Sequence, residues 1–300
     1  MIAIEKRRTH SEYRHVEVNG TGLAYIEQGS GEPLIFVHGG ICDLTFWEPI
    51  LEPVGSRFRA ISYSRRWAWP NEPIPADVVD SVDVHAEDLI ALIEKLGAGP
   101  VNLVGNSFGA FISLLVARDR PDLVRRLVAQ EPPVMPLLLG FPPSPPALIK
   151  LLLTRPRVGV PLAKMVFGGV VPVEKMVERG DVEASIEKFV RSVALGDAGY
   201  DALPDWIKEH MRLNAGTHAA QFRNNGGFAP FTPADARSIS IPTLVMTGQH
   251  SPAALRVLSA ELARYLPNAR TIEIPDASHA MHLANPEATV NAIEGFLGRD

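Results

Sequence analysis

Val101-Asn-Leu-Val-Gly105-Asn-Ser107-Phe-Gly109 runs an apolar strand into a G-x-S-x-G turn, and Phe108 to Arg118 then reads as an apolar helix ended by Pro121. The five-residue pattern alone is weak; its setting between strand and helix gives it meaning. A reversal this sharp holds the serine in a strained backbone, tolerable only if its flanking positions are glycine. The turn lifts the Oγ above the sheet and directs the dipoles of the following helix at it. Ser107 is therefore the candidate nucleophile, set against the plainer reading of a glycine-rich turn with an incidental serine.

Upstream, His15-Val-Glu-Val and Leu23-Ala-Tyr-Ile-Glu flank Asn19-Gly-Thr-Gly, an alternating pattern that predicts a β-hairpin. Pro33-Leu-Ile-Phe-Val-His38 and Phe58-Arg-Ala-Ile-Ser-Tyr63 are continuous apolar runs, the mark of strands covered on both faces. Val84 to Leu96 carries a helical stripe closed by Gly97, and Leu123 to Ala129 is another strand. Regularity returns with the strand Pro242 to Thr247, the helix Ala253 to Leu266, the strand Ala269 to Ile274 and the helix Pro286 to Leu297. Strands alternating with helices predict an α/β fold with a mostly parallel sheet covered on both sides. Residues 136–235 break the pattern, with Pro-rich turns, Lys/Glu-rich helical stretches and no clear buried strand. They predict a helical cap inserted into a core made of residues 1–135 and 236–300.

A serine hydroxyl needs a base to take its proton during attack. His279, in Pro275-Asp-Ala-Ser-His279-Ala-Met-His282, directly follows the last strand, at the edge where open α/β sheets bind ligands. His282, three residues on, reads as packing or helix entry. An oxyanion formed by attack on a carbonyl needs two backbone N–H groups. Phe108, after the nucleophile, supplies one; the loop His38-Gly39-Gly40 supplies the other, with Gly40 favoured because glycine lets the backbone approach a substrate.

The His38-Gly-Gly loop, the Gly105-Asn-Ser-Phe-Gly elbow and Ser278-His279-Ala-Met-His282 resemble the α/β-hydrolase superfamily, over essentially the whole chain. The resemblance implies an eight-stranded sheet with an antiparallel start, a cap between strands six and seven, a Ser–acid–His triad, and no cofactor or metal. In one respect the chain departs from the family. Most members carry an aspartate just after strand seven, where this chain has Gly248-Gln-His-Ser251-Pro. A serine there can neither fix the His279 tautomer nor stabilise its imidazolium. Strand six ends in Ala129-Gln-Glu131-Pro-Pro, and a subset of the superfamily places its acid at that position, which makes Glu131 the candidate. The order Ser107, Glu131, His279 keeps the order of the fold. Asp276 is the competing acid. Dehalogenases and epoxide hydrolases of this fold need aspartate at the elbow, so Ser107 argues against those activities.

Beyond the triad, Ser64-Arg-Arg66-Trp67-Ala-Trp69 and Asp43, Phe46 and Trp47 follow catalytic-edge strands. Arg66, Trp67, Trp47, Gly39 and His250 are candidate pocket residues; the alternative for Arg66 and Trp67 is a structural loop with arginine paired to backbone carbonyls, for Trp47 packing of the following turn, and for Gly39 an ordinary strand-to-helix turn. Leu137-Leu-Leu139, Phe141, Met165, Phe167, Trp206 and Phe222 give the cap apolar surface, which favours a small-molecule substrate with a hydrophobic portion.

Composition narrows the rest. The chain has 300 residues, 46% hydrophobic and 21% charged, with a net charge of −5, giving no basic footprint for nucleic acid or an anionic membrane. Cys42 is the single cysteine, so no internal disulfide is available and an oxidising compartment is not required. The opening Met1-Ile-Ala-Ile-Glu-Lys-Arg-Arg lacks a secretory apolar core, and the apolar stretch Pro132 to Leu153 is too broken by prolines to span a bilayer. A cytoplasmic location is expected, and assembly into a homo-oligomer is left open. The leading expectation is hydrolysis of a carboxylic ester or lactone through an acyl-enzyme on Ser107. The same triad serves carbon–carbon hydrolysis of a ring-cleavage diketone, and the fold also hosts perhydrolase or cofactor-free oxygenase variants. In another class stands a non-catalytic small-molecule receptor.

Overall fold

The computed structural model describes residues 13–223 and 227–298. The charged opening Met1 to Arg8 lies outside them. The hairpin forms as expected: β1 (Arg14–Val18) and β2 (Thr21–Gln28) are joined through Asn19 and Gly20, both at positive φ (45° and 74°), the conformation an Asn-Gly turn adopts readily. The apolar runs become β3 (Glu32–Val37), β4 (Phe58–Tyr63), β5 (Val101–Asn106), β6 (Val124–Gln130), β7 (Thr243–Gly248) and β8 (Ala269–Ile274).

These eight strands make one sheet in the order β1-β2-β4-β3-β5-β6-β7-β8, antiparallel only where β2 pairs with β1 and β4. Alternate residues serve opposite faces. Leu34, Phe36, Val104 and Val128 pack towards the helices Glu48–Gly55 and Pro286–Leu297. Ile35, Val37, Leu103 and Leu127 pack towards the helices Val82–Lys95 and Phe108–Asp119. The two edge strands depart from the buried-strand pattern: Arg14, His15 and Glu17 of β1 and Arg270, Thr271 and Glu273 of β8 face solvent.

The chain runs from β3 outward to β4 and then back to β5 on the other side of β3. This reversal leaves a crevice beyond the carboxyl ends of β3 and β5, the place where open α/β sheets bind ligands. The register makes the edge level: Val37 pairs with Gly105, Asn106 with Gln130, Gln130 with Met246 and Gly248 with Ile274. Loops leaving β3, β5, β6, β7 and β8 therefore meet at one rim.

Between β6 and β7 the described residues hold helices and no strand. Prolines that the sequence suggests as turns instead open helices: Pro136, Pro145, Pro156 and Pro233 all sit in first turns, where a missing N–H costs nothing. Two wide turns interrupt the longer helices, with Val171 N–H donating to the Val166 carbonyl and Leu195 N–H to the Val190 carbonyl. The insertion is fastened to the core at separate points. Arg155 pairs with Glu261 at 2.5 Å, and the buried Asp43 carboxylate accepts from Asn214 at 2.9 Å and contacts His210 Nδ1 at 2.8 Å. The helix Pro233–Ser238 packs on Phe108–Asp119 and Ala253–Tyr265, so the expected boundary at 235 falls inside an element that rests on the core.

Candidate active site

Strand β5 ends at Asn106, and Ser107 takes φ 52° and ψ −121° before the helix Phe108–Asp119 begins. Such a conformation costs on the order of 1–3 kcal/mol in a non-glycine residue, so the surroundings must impose it. The Ser107 N–H donates to the Gln130 carbonyl at 2.8 Å. The flanking glycines have a steric reason: a Cβ at Gly105 would stand 2.6 Å from the Ala110 Cα, and one at Gly109 2.2 Å from the Val37 carbonyl oxygen.

His279 lies on the loop after β8, and its Nδ1 is 2.6 Å from Glu131 Oε2. Both are buried, Glu131 completely. The other carboxylate oxygen, Oε1, accepts from the Gly248 N–H at 3.0 Å. Glu131 follows β6 at φ 46°, with its own N–H donating to the Met246 carbonyl at 3.1 Å. With the carboxylate ionised, Nδ1 carries the imidazole proton and Nε2 is left with a lone pair. Asn106 Nδ2 donates to the His279 carbonyl at 3.0 Å, tying the histidine loop to the residue before the serine. Asp276, the competing acid, is exposed; its N–H donates to Gln249 Oε1. His282 is buried between rings, stacked on Trp47 at 4.3 Å and edge-on to Phe46 at 4.3 Å, and burial pushes its pKa down to about 3.

The loop after β3 is held from behind. Arg65, 1% exposed, donates through Nη2 to the carbonyls of Gly39 (3.0 Å) and Gly40 (3.2 Å), and its guanidinium lies 5.0 Å from the centre of the Phe108 ring. A trans peptide points its carbonyl and N–H in opposite directions. The Gly40 and Ile41 N–H groups are thus turned away from Arg65. The Arg65 N–H donates to His38 Nε2 at 2.9 Å, which leaves Nδ1 to donate to the Gly39 carbonyl. Burial, reinforced by the Arg65 charge, holds His38 well below the ordinary imidazole value, so the ring is neutral. Buried Asp80 lies beside this group and contacts His85 Nε2 at 2.5 Å.

Two cavities meet at Ser107 and His279. The larger, about 340 Å³, is bounded by Gly40 and Phe108 on the core side and by Leu139, Met165, Phe167 and Phe222 of the insertion. The smaller, about 40 Å³, includes Gly39, Gly40, Cys42, Phe46 and Asn106 in its wall. Burial raises the Cys42 thiol far above its ordinary value, so it serves as wall and not as thiolate.

Four of the expected pocket residues are elsewhere. Arg66 turns to helix Val82–Lys95 and grips Asp88 with Nε and Nη2 (2.7 and 2.6 Å). Trp67, at φ 66°, packs edge-on near His85. Trp47 is fully buried against Phe36 and His282. His250 is exposed, and its backbone N–H donates to the Ala277 carbonyl. Among the cap residues, Phe141 is exposed and Trp206 borders a separate surface groove instead. What the sequence reading misses is Arg65. The dipeptide Arg65-Arg66 offers no signal for which guanidinium turns inward.

Among the described residues no group of three His, Cys, Asp or Glu side chains is arranged to hold a metal ion. No described helix is long and apolar enough to cross a membrane.

A model of the alpha/beta hydrolase family matches residues 34–292. The chain is 27% identical over 282 residues to the (E)-2-((N-methylformamido)methylene)succinate hydrolase of Acinetobacter baylyi, covering 93% of this chain and 95% of that protein. It is 27% identical over 297 residues to the 2-(acetamidomethylene)succinate hydrolase of Mesorhizobium japonicum, covering 99% of each. Among solved structures, the enol-lactonase of Burkholderia xenovorans superposes with a TM-score of 0.72 at 19% identity, covering 95% of this chain and all of that one.

Proposed function

This chain belongs to the alpha/beta hydrolase family, and from that premise we propose that it is a serine hydrolase cleaving a carboxylic ester or lactone through an acyl-enzyme on Ser107. In the first half-reaction His279 Nε2 takes the hydroxyl proton as Ser107 Oγ bonds to the carbonyl carbon. The oxyanion is held by the N–H groups of Gly40 and Phe108, while Glu131 balances the charge gained by His279. Collapse breaks the bond to the leaving oxygen, which departs with the proton from His279. Water then gives a proton to His279 and its oxygen to the acyl carbon; the acid leaves, and Ser107 recovers its proton.

The observation that carries this reading is the buried Glu131–His279 contact of 2.6 Å beside the same cavity that Ser107 borders. Support for the oxyanion assignment comes from Arg65, whose hold on the Gly39 and Gly40 carbonyls turns the Gly40 N–H the other way. Helices of residues 136–235 cover the larger cavity as a lid. The test is hydrolysis of p-nitrophenyl esters by wild type and Ser107→Ala, with fluorophosphonate labelling alongside. The expected result is labelling confined to Ser107 and a loss of at least 10³-fold in kcat for the variant, the scale on which removing a triad member acts. Full activity in Ser107→Ala refutes the mechanism, and an unlabelled wild type favours a receptor. The names of the two curated relatives denote succinates that carry an amide, so an amide analogue belongs in the panel, together with a ring-cleavage dienoate. Turnover of the dienoate alone moves the assignment to carbon–carbon hydrolysis through the same residues.

A further inference from the structure

Two features of the cavities bear on what this site accepts. First, they are unequal: about 340 Å³ against about 40 Å³, both bordered by Ser107 and His279. A void of the smaller size holds only a few heavy atoms, given that one water needs roughly 10–15 Å³ on such a measure. Second, the wall of the larger cavity is mostly apolar. None of the described residues that line it is Lys or Arg; the wall is Met, Leu, Val, Phe and Pro with few polar groups. Among the described residues its one carboxylate is Glu174, half-buried on the helix Val171–Glu178. Burial, with neighbouring Glu178, raises the Glu174 pKa.

A carboxylate entering such a space loses its hydration with no basic side chain of the wall to replace it, and wherever Glu174 is ionised it meets a like charge. The succinates in the names of the two curated relatives carry two carboxylates each. We infer that this chain has left that substrate class: it takes a neutral, unsymmetrical molecule whose scissile bond joins an apolar part, seated in the larger cavity, to a group of a few heavy atoms in the smaller one, with Glu174 turning anionic substrates away. The inference rests on the acyl-transfer reading above.

The test measures kcat/KM for benzyl acetate and methyl 3-phenylpropanoate, for their para-carboxylate analogues, and for benzyl 3-phenylpropanoate, which is bulky on both sides. The better of the first two is expected to exceed its carboxylate analogue by at least 30-fold and the doubly bulky ester by at least tenfold. Glu174→Gln narrows the neutral-to-anionic ratio three- to tenfold, and Glu174→Lys narrows it further. Carboxylate analogues cleaved as well as neutral ones, or a ratio indifferent to both substitutions, overturn the inference while leaving the hydrolase reading intact. If no ester is cleaved and fluorophosphonate leaves Ser107 unlabelled, it is the acyl-transfer reading that falls, and the inference with it.

Discussion

Replacing Glu131 by glutamine keeps the shape of the site and removes one charge. In the native arrangement both carboxylate oxygens are used, one at 2.6 Å from His279 Nδ1 and the other accepting the Gly248 N–H at 3.0 Å. An amide has a single acceptor oxygen for these two donors. Either Gly248 loses its partner, or the amide NH₂ faces Nδ1 and drives the imidazole proton to Nε2, where it blocks proton uptake from Ser107. The electrostatic part can be sized. With charge centres about 4 Å apart and an effective dielectric near 20, carboxylate and imidazolium attract by about 4 kcal/mol, or roughly 10³ in rate. Because this attraction exists only once His279 is charged, it acts on kcat and not on KM, and Glu131 borders neither cavity beside Ser107. Glu131→Gln is therefore expected to lose about 10³ in kcat on p-nitrophenyl acetate, with KM changed less than threefold. Asp276→Asn, altering an exposed side chain, stays near wild type. A Glu131→Gln enzyme within tenfold of wild type, or an equal loss in Asp276→Asn, refutes the reasoning.

Two further predictions concern residues behind the site. Arg65→Lys keeps the buried charge but cannot span the Gly39 and Gly40 carbonyls; kcat should fall about 10²-fold with KM nearly constant, the scale of one lost oxyanion donor, and a loss confined to thermal stability refutes the positioning role. Burial pushes His218 and His282 down to about 3, whereas in the unfolded chain both titrate at about 6.5, so the unfolded state binds the extra protons. Their contribution to stability is complete above about pH 6.5 and is lost towards pH 3 at ~1.4 kcal/mol per pH unit for each ring; urea titrations of His282→Phe should show a slope against pH shallower by one proton, and an unchanged slope refutes the assignment.

What was legible in the sequence depends on how local its cause is. Asn19-Gly20 specifies its hairpin because the turn conformation is a property of those two residues. The glycines at 105 and 109 announce the elbow because clashes within a few residues dictate them. The contact between Glu131 and His279 is legible by a different route: Ser251 leaves a vacancy for charge after β7, and the end of β6 is the neighbouring position. Side-chain direction past a strand end is not local in this sense. Arg65 and Arg66 are chemically identical, and only the placement of the Gly39–Gly40 carbonyls on one side and Asp88 on the other separates them. Trp47 and His250 fail for the opposite reasons, one drawn wholly into the core and the other left on an exposed turn. The cavity walls are still less accessible to sequence reasoning. They come from helices far apart in the chain and from the wide turns at Val166–Val170 and Val190–Ala194, which contribute Val166, Phe167, Val170, Val193 and Ala194.

The strained residues explain why a carboxylate can serve His279 from β6, and why it is a glutamate. Ser107, Glu131 and Asp276 all have positive φ and all sit near a strand end on one rim: Ser107 and Glu131 directly after β5 and β6, Asp276 two residues after β8. In each case the N–H remains bonded to the neighbouring strand or its extension, to the carbonyls of Gln130 and Met246 and to Gln249 Oε1 respectively. For Ser107 and Glu131 the sheet ladder runs one residue past the strand before the chain turns back over the edge. Since Asn106 pairs with Gln130, Ser107 and Glu131 occupy equivalent positions on adjacent strands. A position after β7 is one strand nearer the histidine loop, where a short side chain suffices. From β6 the side chain must reach across roughly one further strand spacing of about 4.8 Å. The added methylene of glutamate supplies part of that reach, the turn at φ 46° directs it, and the Gly248 N–H at the end of β7 steadies the carboxylate as it passes. The longer side chain, the kinked backbone and the missing acid at 251 are thus one arrangement, and an aspartate at 131 would fall short of His279.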